Sequence, residues 1–284
     1  MTQFNDGSIL SSVDPEIGAT LLSRRQAITR GATVSASVAA GLRIASVPIA
    51  LAALSRDAFA QGIPGAVVEV LNFALTLEYL EAEFYNRGVA ASGLIPAADR
   101  IIFETIQGHE NLHVTFLQNA LGSLAVAKPT FDYSAGGGSG TGPYADVFTN
   151  YATFKAVAQA FEDTGVRAYK GQAPALQPYD TYLTAALTIH SVEARHASEI
   201  RRLRGNFTDT EPFYEGWITG NQTDVPGASA VYAGEDNTNQ LGINVAALTS
   251  YSTNSATEAF DEPLTKAQVL AIVTPFISTT GVGI

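Results

Sequence analysis

Apolar residues recur every three or four positions in four separate stretches of the chain, each more than twenty residues long. This period is typical of an α-helix with one face turned toward a core. It predicts helices at 65–87, from just after Pro96 to Gly122, at 147–170 and at 179–204. Between the second and third helices, residues 122–146 contain Pro129 and a glycine-rich run at 136–140, and no helical period survives there. We therefore expect two helical hairpins joined by one long link.

Two polar residues, Glu193 and His196, lie on the apolar stripe of the fourth helix, one turn apart. Counting in steps of three and four places both on the interior face of that helix. The second helix repeats this motif, with Glu110 and His113 on its interior face. A buried charge needs a partner of opposite charge or a metal ion. Two interior Glu-x-x-His motifs therefore indicate a metal site.

The first and third helices each carry an interior Glu followed seven residues later by a Tyr. Glu78 precedes Tyr85 in the first helix, and Glu162 precedes Tyr169 in the third. From this Glu to the Glu of the Glu-x-x-His motif is 32 residues in the first hairpin and 31 in the second. The two hairpins therefore carry the same chemical groups in the same order.

One Glu from each of two helices, with one Glu-x-x-His from each of the other two, is the ligand pattern of di-iron and di-manganese carboxylate bundles. On these motifs the chain resembles the ferritin-like superfamily. Its ending, EAFDEPLTKAQVLAIVTPFI at residues 258–277, is similar to that of exported ferritin-like proteins grouped with the desiccation-related family. The resemblance covers about residues 65–276. It implies an all-α fold, a ferritin-like four-helix bundle with one long crossover and an irregular C-terminal extension that ends in a short helix.

The resemblance also implies a dinuclear centre. Its six metal ligands would be Glu78, Glu110, His113, Glu162, Glu193 and His196. Of these, Glu110 and Glu193 would bridge two divalent metal ions, the other two carboxylates would be terminal ligands, and each imidazole would bind one ion. Iron is the expected metal, and manganese accepts the same ligand types. Dioxygen or peroxide would react at the open positions and oxidise Fe(II) to Fe(III).

Four residues are candidates to support the ligands from outside: Glu81, Tyr85, Tyr169 and His190. Glu81 lies on the interior stripe one turn after Glu78 and is also an alternative ligand. The two Tyr are candidate hydrogen-bond donors to the ligands, with core packing as the alternative. His190 lies one turn before Glu193, where it either orients a ligand or is a core His.

Two further positions leave alternatives open. His109 directly precedes Glu110 and borders the site face, so a surface or ligand-supporting role is favoured over metal binding. Gly165, one turn after Glu162, lowers helix stability by ~1 kcal/mol relative to Ala. It indicates either close helix packing or a place where the centre needs room.

The first sixty residues have the order of an export signal. Ser-Arg-Arg-Gln-Ala-Ile at 23–28 resembles a twin-arginine motif, and an apolar run at 31–54 and Ala-Phe-Ala at 58–60 follow it. We expect a twin-arginine signal peptide at 1–60, a mature chain that starts at Gln61, and a location in the periplasm or cell envelope. A cytosolic N-terminal helix is the alternative. A retained membrane span is disfavoured because the run contains a charge, whereas a span needs ~20 mostly apolar residues.

Charge and cysteine content exclude several classes of protein. The whole chain has a net charge of -11, and without residues 1–60 it has 11 basic and 23 acidic side chains, a net charge of -12. This balance argues against nucleic acids and anionic membranes as partners. There is no Cys, which excludes disulfides, thiolate metal sites and a rubredoxin-type module, and the only Met is Met1, so a Met-ligated haem has no candidate ligand.

Beyond Gly205 the composition shifts to Asn, Thr, Gly, Asp and Pro with scattered aromatic residues. We divide the mature chain into a bundle at 61–205 and an extension at 206–284. The extension is expected to be irregular to about Thr257 and to wrap the bundle. It should then form a short helix that begins at 261–264.

Three functional interpretations are consistent with these patterns. The first is an exported metal-binding protein with ferroxidase or peroxide-consuming activity. The second is a structural or stress- and desiccation-protective interaction protein in which metal only supports the fold or is absent, and exposed aromatic patches on the extension would favour it. The third is a metal-dependent oxidase or oxygenase for an organic substrate, which a large apolar cavity beside the metals would favour. The sequence leaves the metal and the oligomeric state open, a homo-oligomer included.

Overall fold

The computed structural model describes residues 62–205, 216–248 and 252–278. These contain six α-helices: α1 Gly65–Ala90, α2 Arg100–Leu121, α3 Tyr151–Leu176, α4 Asp180–Arg204, α5 Thr253–Glu258 and α6 Lys266–Val273. A short antiparallel hairpin pairs β1 Asn239–Gln240 with β2 Ile243–Asn244. None of the helices in the described part of the chain is long and apolar enough to cross a membrane. The signal peptide expected at 1–60 lies outside the described residues and stays a prediction.

Helices α1 to α4 form the four-helix bundle that the sequence predicts. Along α1 and α2, Tyr79 contacts Gln118 and Asn86 contacts Gln107, so the two helices are antiparallel. Helix α3 is also antiparallel to α1, because the end of α1 contacts the first half of α3. Helices α2 and α3 are therefore parallel, and the chain between them crosses the length of the bundle. The all-α bundle with one long crossover is confirmed.

Helix α1 continues past Gly88, where the sequence predicts a stop, and ends at Ala90. Gly88 is needed for packing, because a Cβ there would lie 2.3 Å from the ring of Phe154 on α3. That ring stacks on Phe84 of α1 with a centroid distance of 4.7 Å. The two helices therefore approach closely at Gly88, and aromatic rings fill the bundle core here.

Helix α3 differs from the prediction of 147–170 at both ends. It begins later because the side chain of Asn150 accepts hydrogen bonds from the first backbone N–H groups of the helix. It runs on to Leu176, so the predicted end at residue 170 is wrong. Pro174 lies in the last turn, where its missing N–H removes one helical hydrogen bond, and the fully buried Leu176 holds that turn in place.

The crossover has a defined conformation without a helix. The carboxylate of Asp132 accepts hydrogen bonds from the backbone N–H groups of Gly138 and Gly140. Both glycines have positive φ, which a side chain would disfavour. Tyr133 is buried and donates a hydrogen bond to the carbonyl oxygen of Leu80 at 2.7 Å. The glycine-rich run therefore forms a turn around a carboxylate. Tyr133 anchors the crossover to α1.

The extension packs against the outer face of α3 through the buried Arg167. Its guanidinium group donates hydrogen bonds to the backbone carbonyls of Val231, Ala233 and Glu262. It also pairs with the carboxylate of Glu235 at 2.7 Å. A single side chain of the bundle thus holds two segments of the extension.

The predicted start of the final helix at 261–264 is wrong. The backbone N–H of Leu264 donates to the carbonyl oxygen of Arg167 at 3.1 Å, and this segment is held outside any helix against α3. Helix α6 begins only after Thr265, whose side chain forms a capping box with Gln268. The short helix α5 also lies in a stretch that the sequence predicts to be irregular.

Candidate metal centre

The bundle helices bring the six candidate ligands together in the core. All six side chains are at most 5% exposed. They form two groups of four, and in each group one nitrogen or oxygen atom per residue lies within 4.8 Å of all the others. Both groups contain Glu110 and Glu193. The other members are Glu78 and His113 in one group, and Glu162 and His196 in the other. Two sites that share two carboxylates have the composition of a dinuclear centre.

Both imidazoles turn Nδ1 toward carboxylates of the centre. Nδ1 of His113 lies 3.1 Å from Glu78 Oε2 and 3.1 Å from Glu193 Oε1. Nδ1 of His196 lies 2.8 Å from Glu110 Oε1. Each Glu-x-x-His motif therefore places its imidazole against a carboxylate of the opposite hairpin.

Several of these atoms are buried without a hydrogen-bond partner. They are Oε1 of Glu110, Oε2 of Glu162, both carboxylate oxygens of Glu193 and Nδ1 of His196. Although His196 Nδ1 is close to Glu110 Oε1, the two groups are not aligned for a hydrogen bond. Buried acceptors without donors are destabilising, and a cation between them would satisfy them. Carboxylate and imidazole ligands fit iron or manganese, so the residues present suit the implied metals.

The electrostatics of the centre favour protons when metal is absent. Burial raises the pKa of Glu78 to about 7, even though His113 acts to lower it. Burial and then the neighbouring carboxylates raise the pKa of Glu193 well above its usual value. Burial alone would lower the pKa of His113 and His196, but the adjacent carboxylates outweigh it and raise both. For Glu110 burial is outweighed by its contacts with both imidazoles, which lower its pKa. A divalent cation would displace the retained protons.

Two tyrosines bond candidate carboxylates of the opposite hairpin across the bundle. Tyr85 donates a hydrogen bond to Oε1 of Glu162, and Tyr169 donates one to Oε1 of Glu78, each at 2.5 Å. Burial and the nearby carboxylates raise the pKa of both hydroxyls well above the usual value, so they remain donors. Each Tyr therefore orients the Glu of the other hairpin.

Replacing either tyrosine should weaken metal binding without unfolding the protein. We expect Tyr169→Phe to lower the affinity for Mn(II) by about 10–100-fold, since a ligand loses the hydrogen bond that orients it. Tyr133→Phe is the matched control, because this buried Tyr bonds a backbone carbonyl away from the centre. Isothermal titration without oxygen measures both. Equal losses in the two variants would show that the tyrosine contact is general packing.

The two halves of the centre differ at one interior position. Glu81 follows Glu78 by one turn, whereas Gly165 follows Glu162 by one turn. Glu81 is 4% exposed, and a Cβ at Gly165 would lie 3.3 Å from Glu81 Oε1 and 3.2 Å from Glu193 Oε2. The structure therefore supports the second alternative for Gly165, that it leaves room at the centre. That room admits a fifth carboxylate.

His109 lies at the edge of the centre and is half-buried. Its Nδ1 is 2.9 Å from Nε2 of His196, and the two rings stack with centroids 5.2 Å apart. An imidazole that binds metal through one nitrogen is commonly oriented through the other, and His109 has that position. In the other hairpin the corresponding residue is Val192. The two metal positions therefore have different surroundings.

His190 is the supporting candidate whose recorded contacts lie away from the ligands. Burial lowers its pKa, the charged groups that act on it are Asp261 and Lys170, and its Nδ1 is buried without a hydrogen-bond partner. Along the chain, His109 directly precedes Glu110, and His190 lies one turn before Glu193. Only the packing of α2 against α4 distinguishes them.

Residues 66–206, nearly half of the chain, match the family model described as a ferritin-like domain. The matched range contains all six candidate ligands and the crossover. No curated protein and no solved structure matches the chain.

Proposed function

We propose that the protein binds two divalent metal ions between α1, α2, α3 and α4, iron first and manganese as the alternative; the match of residues 66–206 to the model of a ferritin-like domain supports this. One observation carries the proposal, the two overlapping groups of buried ligands that share Glu110 and Glu193. The shared carboxylates would be held in common by the two ions, and Glu78 and Glu162 would each serve one of them. His113 and His196 bind one ion each through Nδ1.

We assign ferroxidase or peroxide-consuming activity to this centre. Bound iron supplies one-electron redox chemistry. Two Fe(II) ions release one electron each. Dioxygen takes up these two electrons with two protons and leaves as hydrogen peroxide, or hydrogen peroxide takes them up with two protons and leaves as two water molecules. The raised pKa values of Glu78 and Glu193 let these carboxyl groups hold protons that are released as metal binds.

The activity can be tested by loading the protein with Fe(II) under nitrogen and then adding oxygen. We expect near-ultraviolet absorption of ferric iron to develop faster than in buffer, and Glu110→Ala with Glu193→Ala to remove the difference. The matched control changes Glu104 and Glu199 on the same two helices, whose side chains are 41% and 37% exposed. If the wild-type protein oxidises Fe(II) no faster than buffer, the ferroxidase assignment is wrong.

We further propose that the protein is exported by the twin-arginine pathway to the periplasm or cell envelope, within the desiccation-related group. The motif at 23–28 and the small residues at 58–60 support this location. N-terminal sequencing of protein from its native host is expected to begin at Gln61. A soluble cytosolic protein that keeps residues 1–60 would exclude export.

An interaction function is the second candidate, and exposed apolar side chains of the extension favour it. Trp217 is 52% exposed and Leu248 66% exposed. Leu241 is fully exposed at the tip of the β1–β2 hairpin and has a φ of 52°, which disfavours a branched side chain. If metal stabilises the protein but no oxidation follows, this structural interpretation is the better one.

A further inference from the structure

The bundle core is packed differently on the two sides of the metal centre. On the side of the C-terminal half of α1, aromatic rings fill the space, and Phe154 contacts both Phe84 and Phe103 with centroids 4.7 and 5.1 Å away. On the side of the N-terminal half of α1 there is a cleft whose walls include the small side chains of Ala74 and Ala186. All four bundle helices contribute to its walls.

The walls of this cleft are almost wholly apolar. They include Leu71, Ala74, Leu117, Tyr169, Ala186 and Ile189. The free volume is about 20 Å³, which is room for one small molecule. An organic substrate would not fit, so the cleft does not support the interpretation as an oxidase of organic substrates. An apolar cavity of this size stays dry.

The cleft ends one helical turn from the candidate ligands. Ala74 precedes Glu78 by four residues, and Ile189 precedes Glu193 by four, a distance of ~6 Å along a helix axis. The hydroxyl of Tyr169, which is part of the wall, is already bonded to the carboxylate of Glu78. No more than one layer of side chains therefore separates the cleft from the ligands.

We propose that this cleft holds dioxygen on its way to the metal centre and makes dioxygen the preferred oxidant over hydrogen peroxide. This proposal rests on the proposed function, and it identifies dioxygen as the oxidant of the bound Fe(II). Dioxygen is apolar and of the right size, so moving from water into a dry apolar cleft is favourable. Hydrogen peroxide would lose its hydrogen bonds to water there without replacing them. The half-buried His109 stacks against His196 and is a polar group at the edge of the centre, away from the walls of the cleft.

Ala186 lies two helical turns before Glu193, and Ala186→Leu should close the cleft at that position. Ala156→Leu is the matched control, because both alanines are 9% exposed and Ala156 lies outside the walls of the cleft. Thermal unfolding and circular dichroism verify that both variants fold. Crystals of each protein under xenon pressure report the occupancy of the cleft whether or not metal is bound. Stopped-flow oxidation of the Fe(II)-loaded proteins, with dioxygen or with hydrogen peroxide, reports whether the oxidant reaches the centre through the cleft.

We expect xenon in the cleft of the wild-type protein and of Ala156→Leu but not of Ala186→Leu. Oxidation by dioxygen should slow at least tenfold in Ala186→Leu, whereas oxidation by hydrogen peroxide should stay within twofold. Absence of xenon from the wild-type cleft, an unchanged rate with dioxygen in Ala186→Leu, or equal slowing with both oxidants would overturn the proposal while leaving the ferroxidase assignment intact. If the wild-type protein oxidises Fe(II) with neither oxidant, the proposed function itself has failed, and the role of the cleft fails with it.

Discussion

Adding Fe(II) or Mn(II) under nitrogen to the metal-free protein is expected to raise its thermal midpoint by roughly 5–10 °C. A metal a hundredfold above its dissociation constant stabilises the folded state by about 3 kcal/mol, because it binds the assembled centre and not the unfolded chain. The gain arises because cations replace the bound protons and remove the repulsion between buried carboxylates. Glu110→Ala with Glu193→Ala should abolish the response, since each metal position then loses two ligands. Differential scanning calorimetry, with and without metal, measures it.

The double change of Glu104 and Glu199 to Ala is the matched control for this experiment. These side chains lie on α2 and α4, as the bridging candidates do, but on the solvent side. Each variant is compared with its own metal-free form, so that any change in intrinsic stability cancels. A midpoint that still rises with metal in Glu110→Ala/Glu193→Ala would place the binding site elsewhere.

Replacing Arg167 with Met should lower the free energy of unfolding by about 3–5 kcal/mol, the usual cost of removing one partner of a buried ion pair. The variant leaves the carboxylate of Glu235 buried without its cation, and it leaves three backbone carbonyls without a donor. The lost contacts join α3 to the extension, so the extension should loosen. Chemical denaturation gives the free energy, and hydrogen exchange shows which segment opens.

Arg202→Met is the control, because Arg202 is 46% exposed and its pair with Glu199 is on the surface. Such a pair contributes up to about 1 kcal/mol. Adding Glu235→Gln to Arg167→Met should recover part of the loss by removing the unpaired charge. If Arg167→Met behaves like Arg202→Met, the extension does not depend on this contact for its place on the bundle.

The six residues that converge in the core could be selected from the sequence because helical periodicity is local. A Glu and a His one turn apart face the same side whichever helix packs against them. Two hairpins with the same order of groups then restrict the fold to a bundle with a long crossover. The assignment of metal to these residues remains a prediction, and the calorimetric experiment above addresses it.

The contacts between helices could not be selected in this way. Tyr85 lies seven residues after Glu78, but it bonds Glu162, because antiparallel helices place the end of one beside the first half of the other. His109 borders the ligands of its own helix, and the structure places it against His196 of another. The spacing of residues along one helix does not show which residues of a neighbouring helix face them.

The sequence by itself determined the all-α class, the two hairpins, the crossover and the interior stripes that carry the candidate ligands, because each depends on residues within a few turns of one another. Only the tertiary structure decided that the first and third helices continue past Gly88 and Pro174, where the last helix starts, how the tyrosines cross between hairpins, and that a cleft lies beside the centre. Those features arise from packing between segments far apart in the chain, and local propensity is overridden wherever such packing contributes more free energy.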